Sequence, residues 1–266
     1  EPVLRQAHPS IWQFRYWLKQ DNDLFALARK RRTPRVYDKD SRAILGTSLD
    51  EVAGPGSRYQ IDATIADIYL VSRFDRRKIV GRLVIYVVID VFSRMIAGLY
   101  VGLEGPSWVG AMMALANAAS PKPAWCRSFG VEITDADWPC HSLPVALLAD
   151  RGEMLGPAAD TLIQRFGLRL ENAAPYRADW KGIVERRFGL IHAAFGAYVP
   201  GFIEPDFRER GARDYRLDAT LDLDEFTAAI INIVLYYNNQ HQLTGYARDP
   251  QMIADEVNAV PLELWD

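Results

Sequence analysis

Three acidic residues sit where acids are awkward. Asp62 falls inside "YQIDATI", a run of β-branched and aromatic residues that reads as a strand, where Asp is disfavoured. Asp150 closes the apolar run "VALLAD", and Glu185 lies in the amphipathic stretch "KGIVERRF". Singly, each has an ordinary reading as a strand-edge acid, a turn acid or a solvated helix acid. Together they could do chemistry. Three converging carboxylates repel one another unless a cation lies between them. Oxygen-only donors suit hard divalent ions, and Mg²⁺ takes one or two carboxylates plus phosphate oxygens while keeping several waters. Two such ions, roughly 3.5–4 Å apart, activate an attacking oxygen on one side of a phosphodiester and stabilise the leaving oxygen on the other.

Convergence needs a fold that brings residues 62, 150 and 185 together. The run 59–71 reads as a strand that leads into the polar turn "SRFDRRK". A near-continuous apolar run over 82–92 predicts a strand covered on both faces, and 95–102 returns after the tight turn "SR". Short links make these three an antiparallel meander. Residues 106–120 predict a helix, started by Pro106 and Ser107 and stopped by Pro121, and 122–142 reads as irregular. Strands are expected at 143–152 and 168–173 with a helix between them, then a helix that bears Glu185. A last strong helix spans 223–239, with Asp224 near its start. Helix-linked strands are best placed parallel to the first, which predicts an α/β fold: a mixed sheet with helices on both faces. The strands bearing Asp62 and Asp150 are then neighbours in mid-sheet, and the Glu185 helix packs across their ends.

"IDAT", "LLADRGE" and "KGIVE" resemble the acid motif of the retroviral integrase and DDE transposase superfamily. From Asp62 to Asp150 is 88 residues, and from Asp150 to Glu185 is 35, the spacing typical of that superfamily. "VVIDVFSRMIAGLYVG", "DYRLDATLDLDEF" and "LYYNNQH" look like further parts of the same group, and in particular of the TnsB-type subunit of heteromeric bacterial transposons. The resemblance implies a ribonuclease H-like five-stranded core over 58–245. A helical, basic lead-in would occupy 1–57, and 246–266 would extend toward a downstream domain. It implies two Mg²⁺ ions, with Mn²⁺ as a substitute, held by Asp62, Asp150 and Glu185. It implies nicking at transposon 3′ ends and joining of the 3′-hydroxyls to target DNA by transesterification. The implied partners are transposon-end DNA, target DNA, other transposase subunits, an ATPase regulator and further copies of the chain on DNA. The implied setting is the bacterial cytoplasm, at the nucleoid. Two rival readings stay open: a non-catalytic DNA-binding or assembly module, and a hydrolytic nuclease on the same fold.

The match has departures. Many integrases carry Asp-Asn-Gly at the second acid, whereas this chain has Asp150-Arg151-Gly152-Glu153. Retroviral integrases place Lys one and two turns after the Glu; here those places hold Gly189 and His192. The DNA-gripping role would then pass to Lys181, Arg186 and Arg187, with Arg151 and Arg177 nearby. Lys181 lies one turn before Glu185, where an ion pair and a phosphate contact are equally open readings. Tyr176 and Trp180 could stack on DNA or pack on the core. Glu153 reads as an acid that hydrogen-bonds beside the site or a plain turn acid, with metal contact the lesser alternative; His192 reads as packed or solvated rather than a ligand, and Asp90 as a turn acid that caps a strand end. Arg73, Arg76, Arg77 and Lys78 form a basic hairpin tip, solvated or in contact with target DNA.

Composition sets the outer limits. Net charge is −3, which argues against a simple DNA-coating protein. The charge is uneven: residues 1–60 hold 11 Lys/Arg against 7 Asp/Glu, so the front is basic and the body acidic. The run "ARKRRTPR" is either a solvated helix end or a phosphate-tracking segment. Two cysteines, Cys126 and Cys140, are too few for a disulfide scaffold and read as ordinary buried thiols. No apolar run reaches the ~18–20 residues of a membrane span. The chain begins at Glu-Pro and reads as an excised piece of a longer intracellular protein.

Overall fold

The β-branched and aromatic runs form strands, as their patterning predicts. The computed structural model of the chain describes residues 9–21, 52–149, 163–172, 189, 202–203 and 214–266. In chain order the strands are β1 (Arg58–Ile65), β2 (Leu70–Val71), β3 (Ile79–Gly81), β4 (Val84–Asp90), β5 (Ile96–Gly102), β6 (Ala146–Ala149) and β7 (Arg169–Asn172). Five of them make one sheet in the order β5-β4-β1-β6-β7. The β1–β4 and β4–β5 pairs are antiparallel, whereas β1–β6 and β6–β7 are parallel. A meander first, then parallel strands added on the free side of β1, is the mixed ribonuclease H-like arrangement expected above.

The long strand expected over 59–71 is broken in two. β1 stops at Ile65, and β2 pairs instead with β3 in a separate two-stranded sheet. Arg82 holds the break: its Nε donates to the Ala66 carbonyl at 2.9 Å, and its guanidinium pairs with Asp67. The run expected over 82–92 likewise enters the main sheet only at Val84.

All seven residues of β4 are buried, so both faces of the sheet are covered at its centre. Helix α2 (Trp108–Ala118) packs on β5, with Ser107 as its N-cap accepting from Gly110 N. Contact is close because Gly98 lacks a side chain: a Cβ there would lie 2.5 Å from the Ala114 carbonyl oxygen. The stretch after Pro121 is not irregular throughout. It begins with a short helix, α3 (Lys122–Ser128), whose early prolines suit a helix start.

Helix α4 (Leu223–Gln240) starts with a capping box between Asp222 and Glu225 and also packs on β5. It protects the sheet edge: Asn238 Oδ1 accepts from Ile96 N at 2.9 Å, and its Nδ2 donates to Ile96 O at 3.1 Å. Asn117 of α2 accepts from Leu99 N at 3.0 Å. Side-chain amides thus occupy backbone groups that an open edge would offer to another strand. Two short helices follow, α5 (Pro250–Ala254) and α6 (Pro261–Trp265). Leu264 is buried, and the Trp265 ring lies 6.5 Å from that of Tyr59.

Contacts divide the chain into two compact units, Glu1–Thr47 with Ala174–Asp179, and Ser48–Ala173 with Trp180–Asp266. The first contains α1 (Ile11–Asp21), opened by reciprocal hydrogen bonds between Ser10 and Gln13. Among the described residues no helix is long and apolar enough to cross a membrane.

Candidate active site

Asp62 sits in β1 at the middle of the sheet, flanked by β4 and β6. Its face follows from register. Ile61 pairs with Val88 and Val88 with Gly98, while Asp62 pairs with Val87 and Val87 with Leu99. Paired residues share a face, and Gly98 is where α2 packs. Asp62 therefore points to the face opposite α2, and it is half-buried. Gln60 and Thr64 share that face by strand alternation.

The parallel β1–β6 register is Arg58↔Ala146, Tyr59↔Leu147 and Gln60↔Leu148. Its constant offset, 88, is the sequence separation of Asp62 and Asp150. Asp150 itself lies outside the described residues, as do Glu185, Lys181, Arg151, Arg177, Arg186 and Arg187. Glu153, Tyr176, Trp180 and His192 lie outside them too. Among the described residues no three His, Cys, Asp or Glu side chains cluster closely enough to hold a metal ion.

Asp90 is the turn acid that its sequence context suggests. It is fully buried and accepts from Gly56 N at 2.9 Å and from Ser93 N and Oγ at 2.7 Å each. These bonds tie the β4–β5 turn, where Arg94 adopts a positive φ of 66° without being glycine. Burial raises the Asp90 carboxyl above its ordinary range, against the pull of the Ser93 and Gly56 donors. Cys126 and Cys140 are buried free thiols, and burial pushes Cys126 up to about 11.

The basic hairpin tip is not simply solvated. Arg73 pairs with Asp224 at 2.8 Å. Arg76 donates to the Thr220 carbonyl at 2.9 Å and pairs with Glu225 and Asp222. Both arginines are thus tied to the start of α4. Arg77 and Lys78 share Asp75.

Sequence reading passed over Lys122. It is completely buried, donates to the Ser120 carbonyl at 2.7 Å and to the Ala118 and Cys140 carbonyls, and lies 5.5 Å from the Trp138 ring centroid. Burial drives its amine down to about 8. A lone lysine between prolines carries no local signal of this, since lysine is almost never fully buried.

The strand order and the half-buried acid in its central strand define a ribonuclease H-like domain. The family model described as the TnsB C-terminal domain matches residues 60–201, and the chain belongs to that family. Over 264 residues the chain is 45% identical to the transposon Tn7 transposition protein TnsB of Escherichia coli, which covers 99% of this chain and 38% of that protein. The chain thus spans about two fifths of the length of that relative. Among solved structures it is similar to the catalytic core domain of HTLV-2 integrase in complex with magnesium, at 14% identity and a TM-score of 0.40, covering 73% of this chain and 93% of that one. It is also similar to a chain of the simian T-cell lymphotropic virus intasome in complex with a PP2A regulatory subunit, at 13% identity and a TM-score of 0.44, covering 89% of this chain and 69% of that one.

Proposed function

We propose that this chain is the catalytic core of a DDE-type transposase, which cuts at transposon 3′ ends and joins the 3′-hydroxyls to target DNA by transesterification. The observation that carries the reading is the β1–β6 register. Its constant offset of 88 residues equals the sequence separation of Asp62 and Asp150. Family membership supports the reading, and so does the 35-residue spacing from Asp150 to Glu185.

Asp62, Asp150 and Glu185 would hold two Mg²⁺ ions, for which Mn²⁺ can substitute. The donor chemistry fits: all three are carboxylates, the ligand type that hard divalent ions take. The bound ions would supply activation of the attacking oxygen and charge stabilisation at the leaving oxygen. The protein's own part is positioning. Asp62 is carried by the central strand, paired with Val87 of β4, and a fixed backbone there would help preorganise its carboxylate. Lys181, Arg186 and Arg187, with Arg151 and Arg177, would grip the phosphates on either side of the scissile bond. Target DNA, transposon ends, other transposase subunits, an ATPase regulator and further copies of the chain are the partners this function would need, at the bacterial nucleoid.

The test is Asp62→Asn in the full-length protein. The variant should melt as the wild type does and give neither nicked ends nor joined products. Normal joining by that variant would sink the assignment, and wild-type products that are nicked but never joined would make the enzyme a nuclease.

A further inference from the structure

The β2–β3 hairpin is too short to stand alone: strands of two and three residues supply little of the pairing an isolated hairpin needs. It is nevertheless tethered to the start of α4. Arg73 and Arg76 reach from its tip to Asp224, Asp222, Glu225 and the Thr220 carbonyl at the capped start of α4. Val71 N also donates to the Leu221 carbonyl at 2.9 Å. What this bracing presents is Phe74, the most exposed large apolar side chain among the described residues, at 97%. Beside it stand the side chains of Arg77, 92% exposed, and Lys78, 76% exposed, with Asp75 as their shared acid. The inner arginines are neutralised by the α4 acids. The outer pair sets two cations against one acid, so the unmatched positive charge of the hairpin lies at Arg77 and Lys78, while three α4 acids face the two inner arginines.

A phenyl ring that is 97% exposed, beside the exposed cations Arg77 and Lys78, gains nothing in the isolated protein. We propose that the β2–β3 hairpin is a wedge for target duplex DNA: Phe74 enters between two base pairs of the target while Arg77 and Lys78 meet the flanking phosphates. Apolar side chains that part a base step and kink the duplex are a recurrent device of DNA-bending proteins. Phe74 has no hydrogen-bonding group and reads no base edge. That suits a target accepted for its deformability better than an end recognised by sequence. The hairpin is the next element after the strand that carries Asp62, and Phe74 lies twelve residues past that acid in sequence. This inference rests on the proposed transposase function.

The experiment compares Phe74→Ala and Phe74→Trp with the wild type in full-length protein. It measures end cleavage and joining separately, on intact target and on target carrying a central mismatch that is already unstacked. Phe74→Ala should cut ends at the wild-type rate and lose joining to intact target by about tenfold, the scale of one lost stacking contact. Joining should return toward normal on the mismatched target, and Phe74→Trp should join like the wild type. Unchanged joining by Phe74→Ala overturns the wedge, as does a loss that the mismatch does not relieve. Rescue by a mismatch placed in the end DNA instead overturns the choice of target. A wild type that neither cuts nor joins would mark failure of the transposase reading itself, on which the wedge falls too. Because Phe74 is exposed, melting temperature should be the same in all three proteins.

Discussion

Gln60 and Leu148 stand level across the parallel β1–β6 pair, the last described step of a register that begins at Arg58 and Ala146. Asp62 comes two residues after Gln60, and Asp150 two after Leu148. If both acids hold the same ions, they act as one unit, and removing either should cost nearly what removing both costs. Calorimetry with Mn²⁺ and end DNA should show binding lost in Asp62→Asn and in Asp150→Asn, with little further loss in the double variant. Wild-type Mn²⁺ affinity in Asp150→Asn would show that the register does not end in a shared site.

The α2–sheet interface turns on Gly98. A methyl group there would meet the Ala114 carbonyl oxygen at 2.5 Å, Ala118 Cβ at 2.7 Å and Ala118 N at 2.8 Å. Two of those atoms are backbone, so the helix itself has to move away. Gly98→Ala should destabilise the domain by about 1–3 kcal/mol, the range for overpacked cores. Urea unfolding would measure it, and a stability equal to the wild type would mean that α2 tolerates a wider spacing.

The sequence made the central architecture legible because that architecture depends on local pattern. β4 is a continuous apolar run and is buried along its whole length, and Ser107 caps α2 where its start signal predicts; for α4 the sequence pointed to Asp224, whereas the cap is Asp222 and Asp224 lies in the first turn. What escaped reading depends on pairs far apart in sequence. Arg82 ends β1 by gripping Ala66 and Asp67, and Arg73 and Arg76 tie a hairpin to acids near residue 222. Lys122 finds the Cys140 carbonyl across a loop. No propensity or period in the vicinity of these residues encodes their partners. The candidate acids were legible for another reason: their spacing is itself a pattern, while Lys181, Arg186 and Arg187 have only charge to mark them.

Asp222 serves two structures at once. Its side chain accepts from Glu225 N at 3.0 Å as the α4 cap, and it pairs with Arg76 of the hairpin. Asp222→Ala should cost about 1 kcal/mol through the lost cap. It should also loosen the hairpin, seen as faster hydrogen exchange at Leu70, Val71 and Ile79 than elsewhere in the domain. Asp224→Ala, which removes only an exposed pair, should leave stability nearly unchanged. Equal exchange rates in Asp222→Ala and the wild type would show that Arg73, Glu225 and the Thr220 and Leu221 carbonyls suffice to hold the tip.

Lys122 predicts a pH dependence whose sign can be worked out. Its amine is driven from 10.5 down to about 8 in the folded chain. Between those values the unfolded chain binds the extra proton, so this group makes stability rise with pH, and below about 8 its contribution is flat. Cys126 works the other way: its thiol goes from 9.0 up to about 11, so the folded chain keeps the proton longer and stability falls as pH climbs past 9. Burial raises the Cys140 thiol and the Tyr59 hydroxyl in the same direction. From pH 8 to 9 the lysine acts almost alone; above about 9 the two thiols oppose it, and Tyr59 joins them only above about 10. Urea unfolding should therefore show stability climbing by up to about 1.4 kcal/mol per pH unit just above pH 8 and turning over near pH 9. In Lys122→Met the climb should vanish while the fall above pH 9 remains. Curves for the two proteins that run parallel from pH 8 to 9 would mean that the carbonyls of Ala118, Ser120 and Cys140 hold the ammonium as well as water does.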